Sequence, residues 1–91
     1  MAADSTTETI AVRCWIEGRR VCVELADGRE FSFPAAKYPL LAIAPLSQLE
    51  QVTLRVQGRA LRWEALDEDI RVADALAGRF PRVNERELAA A

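Results

Sequence analysis

The sequence has no histidine, one lysine, four glycines and six aromatic residues. Without histidine there is no imidazole base, no Ser-His or Cys-His nucleophile pair and no histidine-containing metal site. Lys37 stands beside eleven arginines and fourteen acids, for a formal net charge of -2, so the positive excess normal for a nucleic-acid binder is missing. The arginine bias reads as a GC-rich coding sequence. No apolar run approaches the roughly 20 residues of a membrane helix. Nor does the stretch Met1 to Thr9 read as a signal peptide, since it carries Asp4 and Glu8 without a basic start or an apolar segment. The expectation is a bacterial-type, cytoplasmic protein with no membrane contact.

Large apolar side chains are also scarcer than the 51% hydrophobic content suggests, because sixteen of those residues are alanine and only thirty are larger. In a 91-residue chain this makes one small core, whose burial comes out close to balance against chain entropy. A second copy or a small protein partner would add to it.

The pattern that is present is period two. Ile10, Val12, Cys14 and Ile16 alternate with Ala11, Arg13, Trp15 and Glu17, as in a half-buried strand. Val21, Val23 and Leu25 continue it, then Phe31 and Phe33, and after a break Val52, Leu54 and Val56, then Leu61 and Trp63. Parity sets the turns. Even-numbered apolar residues must face odd-numbered ones across the first pair, which a two-residue loop at Gly18-Arg19 supplies in a type II′ turn. The second pair is odd on both sides and needs an odd loop, Ala26-Asp27-Gly28, closed by Gly28 in the left-handed region. The third pair predicts a two-residue turn at Gly58-Arg59.

Between these blocks Pro34, Pro39 and Pro45 forbid one long helix, so a short helix near Tyr38 to Ala44 and a turn near Pro45 to Leu49 are expected, with Leu40, Leu41 and Ile43 covering the sheet. The run Leu66 to Ile70 reads as leading into a helix over Val72 to Ala77, stopped by Gly78. The fold class is therefore α+β in two layers, an antiparallel three-stranded meander plus a β-hairpin, covered by short helices. Residues 1–9 read as a disordered leader, 10–78 as one domain and 79–91 as a tail, in which Asn84 is placed to cap a short helix that holds only if it docks.

Few residues carry chemistry. Cys14 points inward and Cys22 outward by parity, so they cannot bridge and read as reduced thiols, with no histidine to activate Cys22. Asp67-Glu68-Asp69 has the charge for a hard cation, but acids ahead of a helix are more simply a favourable helix start. A Gly58-Arg59 turn would set Arg55 beside Arg62 on the outer face, whereas the meander sets Arg13 beside Glu24 and Glu24 beside Glu30. One end of that face would be basic and the other acidic. Trp15 falls on the same outer face, either covered by the tail through Phe80, Val83 or Leu88, or serving as an interface anchor. Trp63 faces inward as core.

The segments Asp27-Gly28-Arg29-Glu30, Tyr38-Pro39-Leu40-Leu41, Ala44-Pro45 and Trp63, then Leu66-Asp67-Glu68-Asp69-Ile70 and Leu76-Ala77-Gly78, resemble the bacterial domain-of-unknown-function family 2442 over about Val21 to Gly78. The chain departs from it in Glu64, where the family has proline, and in Arg71, where a serine cap is frequent. The resemblance implies a two-layer α+β domain with no established catalytic residues. Some relatives lie beside small toxin-like reading frames, which implies an antitoxin-like or accessory role.

The residues thus point to a non-enzymatic protein-binding module, homodimeric or bound to a small protein, with Trp15, Arg55 and Arg62 as partner-binding residues and no cofactor, metal or catalytic residue. The alternative is a DNA-binding regulator using Arg55, Arg59 and Arg62, against which the net charge argues.

Overall fold

The computed structural model describes residues 9–81. Two three-stranded antiparallel sheets share one hydrophobic cluster with three single-turn helices. The first sheet holds β1 (Ala11–Glu17), β2 (Arg20–Leu25) and β3 (Glu30–Pro34) in that order, and the second holds β4 (Thr53–Arg55), β5 (Ala60–Trp63) and β6 (Glu68–Arg71). The leader and the helix expected at Asn84 and beyond lie, apart from Thr9, outside the described residues.

In the first sheet, parity predicted the register. Cys14 faces Val23, Trp15 faces Cys22 and Arg13 faces Glu24, while Val21 faces Phe33 and Glu24 faces Glu30. Gly18, at φ 59°, is the left-handed residue of the first turn. The second turn closes with Gly28 at φ 93°, its N–H donating to the Leu25 carbonyl at 2.9 Å. A bulge between Ala11 and Arg13 shifts the far end of β1 by one residue.

The second sheet departs from expectation in two places. First, β4 and β5 pair Leu54 with Leu61, Thr53 with Arg62 and Arg55 with Ala60, so the loop contains Val56, Gln57, Gly58 and Arg59 rather than two residues. Parity is kept, because the register moves by two. The cause is tertiary: Gly58 accepts from the Ala11 N–H at 2.7 Å, and a Cβ at Gly58 would collide with the Ala11 carbonyl oxygen. This glycine allows β1 and the loop to touch, and Val56, expected inward, is left 66% exposed. Second, the acidic run does not start a helix. Asp67 adopts a left-handed conformation after a 3-10 turn (Glu64–Leu66), and Glu68–Arg71 pairs with β5 as a third strand.

Three helices are observed: α1 (Pro39–Ala42), with Pro39 in its first turn, α2 (Leu46–Leu49) and α3 (Val72–Leu76), after which Gly78 turns the chain at φ 76°. A four-residue helix turns few side chains toward the sheets. Leu41 is fully buried, whereas Leu40 and Ile43, also expected to cover the sheet, are 42% and 80% exposed. The core is built from Val21, Val23 and Phe33 of the first sheet, Leu61 and Trp63 of the second, and Leu41, Leu49 and Val72 from the helices. Each of the larger side chains contributes about 1.5–3 kcal/mol by its burial. Trp63 does more than fill space, since its indole N–H donates to the Leu49 carbonyl at 2.9 Å and ties β5 to the end of α2.

Candidate interaction surface

Alternation along β1 puts Arg13, Trp15 and Glu17 on the face of the first sheet opposite the core. They form a connected row. The Arg13 guanidinium lies 4.1 Å from the Trp15 ring centroid and its Nε donates to Glu24 at 2.9 Å, while the Trp15 indole N–H donates to Glu17 at 2.9 Å. The indole is thereby held in one orientation, half-exposed, beside an open depression of about 260 Å³ bordered by Glu17, Cys22, Glu30 and Ser32. Phe80 does not cover it. That ring packs with Phe33 and Tyr38 at centroid distances of 5.9 and 5.7 Å, on the core side. Val83 and Leu88, the other candidates for a cover, lie outside the described residues.

Both cysteines are free thiols. Cys14 is half-buried, and burial pushes its thiol up from the ordinary value. Cys22 lies on the outer face as expected, yet its neighbours leave it only 8% exposed; burial and then the nearby Glu17 raise its pKa as well. Raised thiols hold little nucleophilic thiolate at neutral pH.

Arg55 and Arg62 do not stand side by side, because the four-residue loop puts Ala60 opposite Arg55 and Thr53 opposite Arg62. Arg62 is instead enclosed by Glu64, Asp67 and Asp69, at 2.9, 2.9 and 2.8 Å, with 18% of its side chain exposed. Hydrogen bonds to these three carboxylates raise its pKa further. The same contact with Arg62 holds the Glu64 carboxyl below its usual range. Arg55 lies 3.7 Å from Glu64. Two arginines among three acids leave this group with one negative charge in excess, so the hairpin is not the basic end expected. Arg59 donates to the Val56 carbonyl at 3.3 Å and to the Gln57 side chain at 3.2 Å. Across β5 and β6, Asp69 and Arg62 are an opposite-charge pair.

A second depression, of about 400 Å³, lies between β6, α3 and residues 79–81, with Tyr38, Glu68, Asp74 and Phe80 on its walls. Burial and the nearby Asp69 and Asp67 raise the Glu68 carboxyl. Arg79 closes one side by pairing with Asp74 at 3.0 Å. Among the described residues no group of three or more His, Cys, Asp or Glu side chains is arranged to hold a metal ion, and no helix is long and apolar enough to cross a membrane.

Comparison with known proteins agrees with this architecture. A crystal structure of a protein of unknown function from Rhodospirillum rubrum is 33% identical, with a TM-score of 0.78 over 84% of this chain and 94% of that one. A solution structure of an uncharacterised protein from Chromobacterium violaceum shares the fold at 20% identity, with a TM-score of 0.70 over 90% of this chain and 76% of that one. No curated protein matches the chain. The model of the family described as protein of unknown function (DUF2442) matches residues 11–81, and the chain belongs to that family.

Proposed function

We propose that the domain is a non-enzymatic protein-binding module working in the bacterial cytosol, in an antitoxin-like or accessory role, and that its contact surface is the outer face of the first sheet around Trp15. The observation that carries this reading is an indole on the face opposite the core, fixed by the Arg13 guanidinium over its ring and by Glu17 at its N–H, and partly exposed beside an open depression. A large ring already held in one rotamer loses little entropy on contact, which is what makes Trp effective as an interface anchor. Two reduced cysteines suit a reducing compartment.

Arg62 is set aside as a partner-binding residue. A partner's carboxylate or a phosphate would have to displace three carboxylates already on its guanidinium. The same contacts weaken, at Arg62, the DNA-binding alternative through Arg55, Arg59 and Arg62. Light scattering on the domain, alone and mixed with the product of the adjacent gene, tests the reading: association that Trp15→Ala weakens while the thermal melt is kept supports it, and a strict monomer that ignores its neighbour contradicts it. A mobility shift with DNA that fades steeply with salt would favour the regulator instead.

A further inference from the structure

We infer that the occupant of this surface is a second copy of the chain, joined edge to edge through β1 in antiparallel register with Trp15 opposite Trp15. The inference rests on the protein-binding reading above and names its partner.

Edge geometry comes first. Because Gly18 and Arg19 form a two-residue turn, Glu17 and Arg20 are a hydrogen-bonded pair, and alternation extends this to Trp15 with Cys22 and Arg13 with Glu24. The other side of β2 agrees, since the Leu25 N–H donates to Arg29 at 2.7 Å and so Leu25, Val23 and Val21 are turned toward β3. The N–H and C=O groups of Cys14 and Ile16 therefore point away from β2 into the open edge. Among the described residues no backbone group of another element bonds to them.

The opposite edge of the sheet is protected. On β3 the outward groups belong to Glu30, Ser32 and Pro34; proline has no N–H to give, and the Arg20 guanidinium donates to the Ser32 carbonyl at 3.3 Å. On β1 the segment from Cys14 to Glu17 has no proline and no bulge, and among the described residues no side-chain hydrogen bond reaches the outward backbone groups of Cys14 and Ile16; the β4–β5 loop meets this edge at its far end, where Ala11 donates to Gly58. Of the sheet's two edges it is the one open to pairing.

Charge then selects the occupant and the register. Pairing through Cys14 and Ile16 requires those two residues to face one another or themselves. If Cys14 faced Cys14, Arg13 would lie against the partner's Trp15. If Ile16 faced Ile16, Arg13 would meet the partner's Arg19. With Cys14 facing Ile16, the row Arg13, Trp15, Glu17 meets its own reverse: Arg13 lies against the partner's Glu17 twice over, and the two indoles meet on the twofold axis at a position without cross-strand hydrogen bonds, where side chains approach most closely. On the inward face the same register brings Cys14 against the partner's Ile16. These two side chains are only half-buried, although Val21 and Val23 beside them are fully buried, so the edge of the core lacks a neighbour that this pairing supplies.

The test is a charge swap read by light scattering over a concentration series, with a thermal melt as the control for folding. Wild-type protein forms a dimer. Glu17→Arg sets like charges together at two symmetric places and raises the dissociation constant at least about tenfold, and Arg13→Glu/Glu17→Arg restores the dimer. Loss of the Arg13–Glu24 pair cannot produce that rescue, because the double variant lacks it too. A dimer indifferent to Glu17→Arg, or a double variant no better than the single, overturns the inference. A wild-type monomer that still binds the adjacent gene product overturns it and leaves the protein-binding reading standing, whereas a monomer that binds neither overturns both.

Discussion

At the scale of single residues, the fold holds two sites against their own chemistry, the Val56–Gln57 pair and Tyr38. Val56 and Gln57 both have positive φ, 54° and 56°, in the loop that Gly58 anchors to Ala11. For a β-branched residue the left-handed region is a steric outlier, with a cost on the order of 1–3 kcal/mol. Val56 is 66% exposed and gains little from burial in return. Val56→Asn should therefore stabilise the domain by about 1 kcal/mol, seen as a higher denaturation midpoint at unchanged m-value; a loss of stability would contradict the assigned loop. Tyr38 is the second case. It sits 5% exposed between Phe33 and Phe80, and burial, followed by the nearby Asp74 and Glu68, pushes its pKa from 10.0 up to about 12. An unfolded tyrosine loses its proton near pH 10 and the native one only near pH 12, so this contribution to stability is complete below pH 10 and disappears as pH rises between the two. Cys14 and Cys22, raised by burial, act in the same direction. Denaturation midpoints of wild type and Tyr38→Phe from pH 9 to 12 should thus fall less steeply in the variant, and parallel curves would refute the assignment.

At the scale of elements, β1 from Arg13 onward, β2 and β3 were legible because each alternates and each turn contains its glycine at the position parity demands; ahead of Arg13 the bulge reverses the expected faces, burying Ala11 at 3% exposure and leaving Val12 at 55%. The β4–β5 loop was not, since Gly58 answers to the Ala11 carbonyl, a neighbour distant in sequence, rather than to the turn. For β6 the period is too short to read: of Glu68 to Arg71 only Ile70 is apolar, and its pairing depends on Arg62 drawing in Asp67 and Asp69 from one side. Of the proposed surface, Trp15 was legible from parity, while its fixed orientation needed the positions of Arg13 and Glu17. Arg19 was legible only as part of a turn. In the fold its guanidinium donates to the carbonyls of Leu41, Ala42 and Ala44 at 2.9, 3.2 and 3.0 Å, closing the end of α1, where the Leu41 carbonyl also accepts from the Ala44 N–H at 3.3 Å. Arg19→Ala should cost about 1–2 kcal/mol of stability in denaturant melts and leave the sheet intact by circular dichroism. A neutral effect would show that these contacts do not hold the helix to the first turn.

At the scale of the whole molecule, the net charge of -2 conceals how the charges are arranged. Around Arg62 the charges are satisfied within the second sheet, whereas along β1 they form an ordered row of arginine, tryptophan and glutamate that complements its own reverse. The small, alanine-rich composition supplies the reason to associate, since Cys14 and Ile16 finish the core only halfway at that edge. Hydrogen exchange of individual amides across a range of protein concentrations tests this most directly. The account predicts that protection of the Cys14 and Ile16 amides rises with concentration, while the outward amides of Glu30 and Ser32 on the opposite edge stay unchanged. Exchange at Cys14 and Ile16 that is independent of concentration would contradict it.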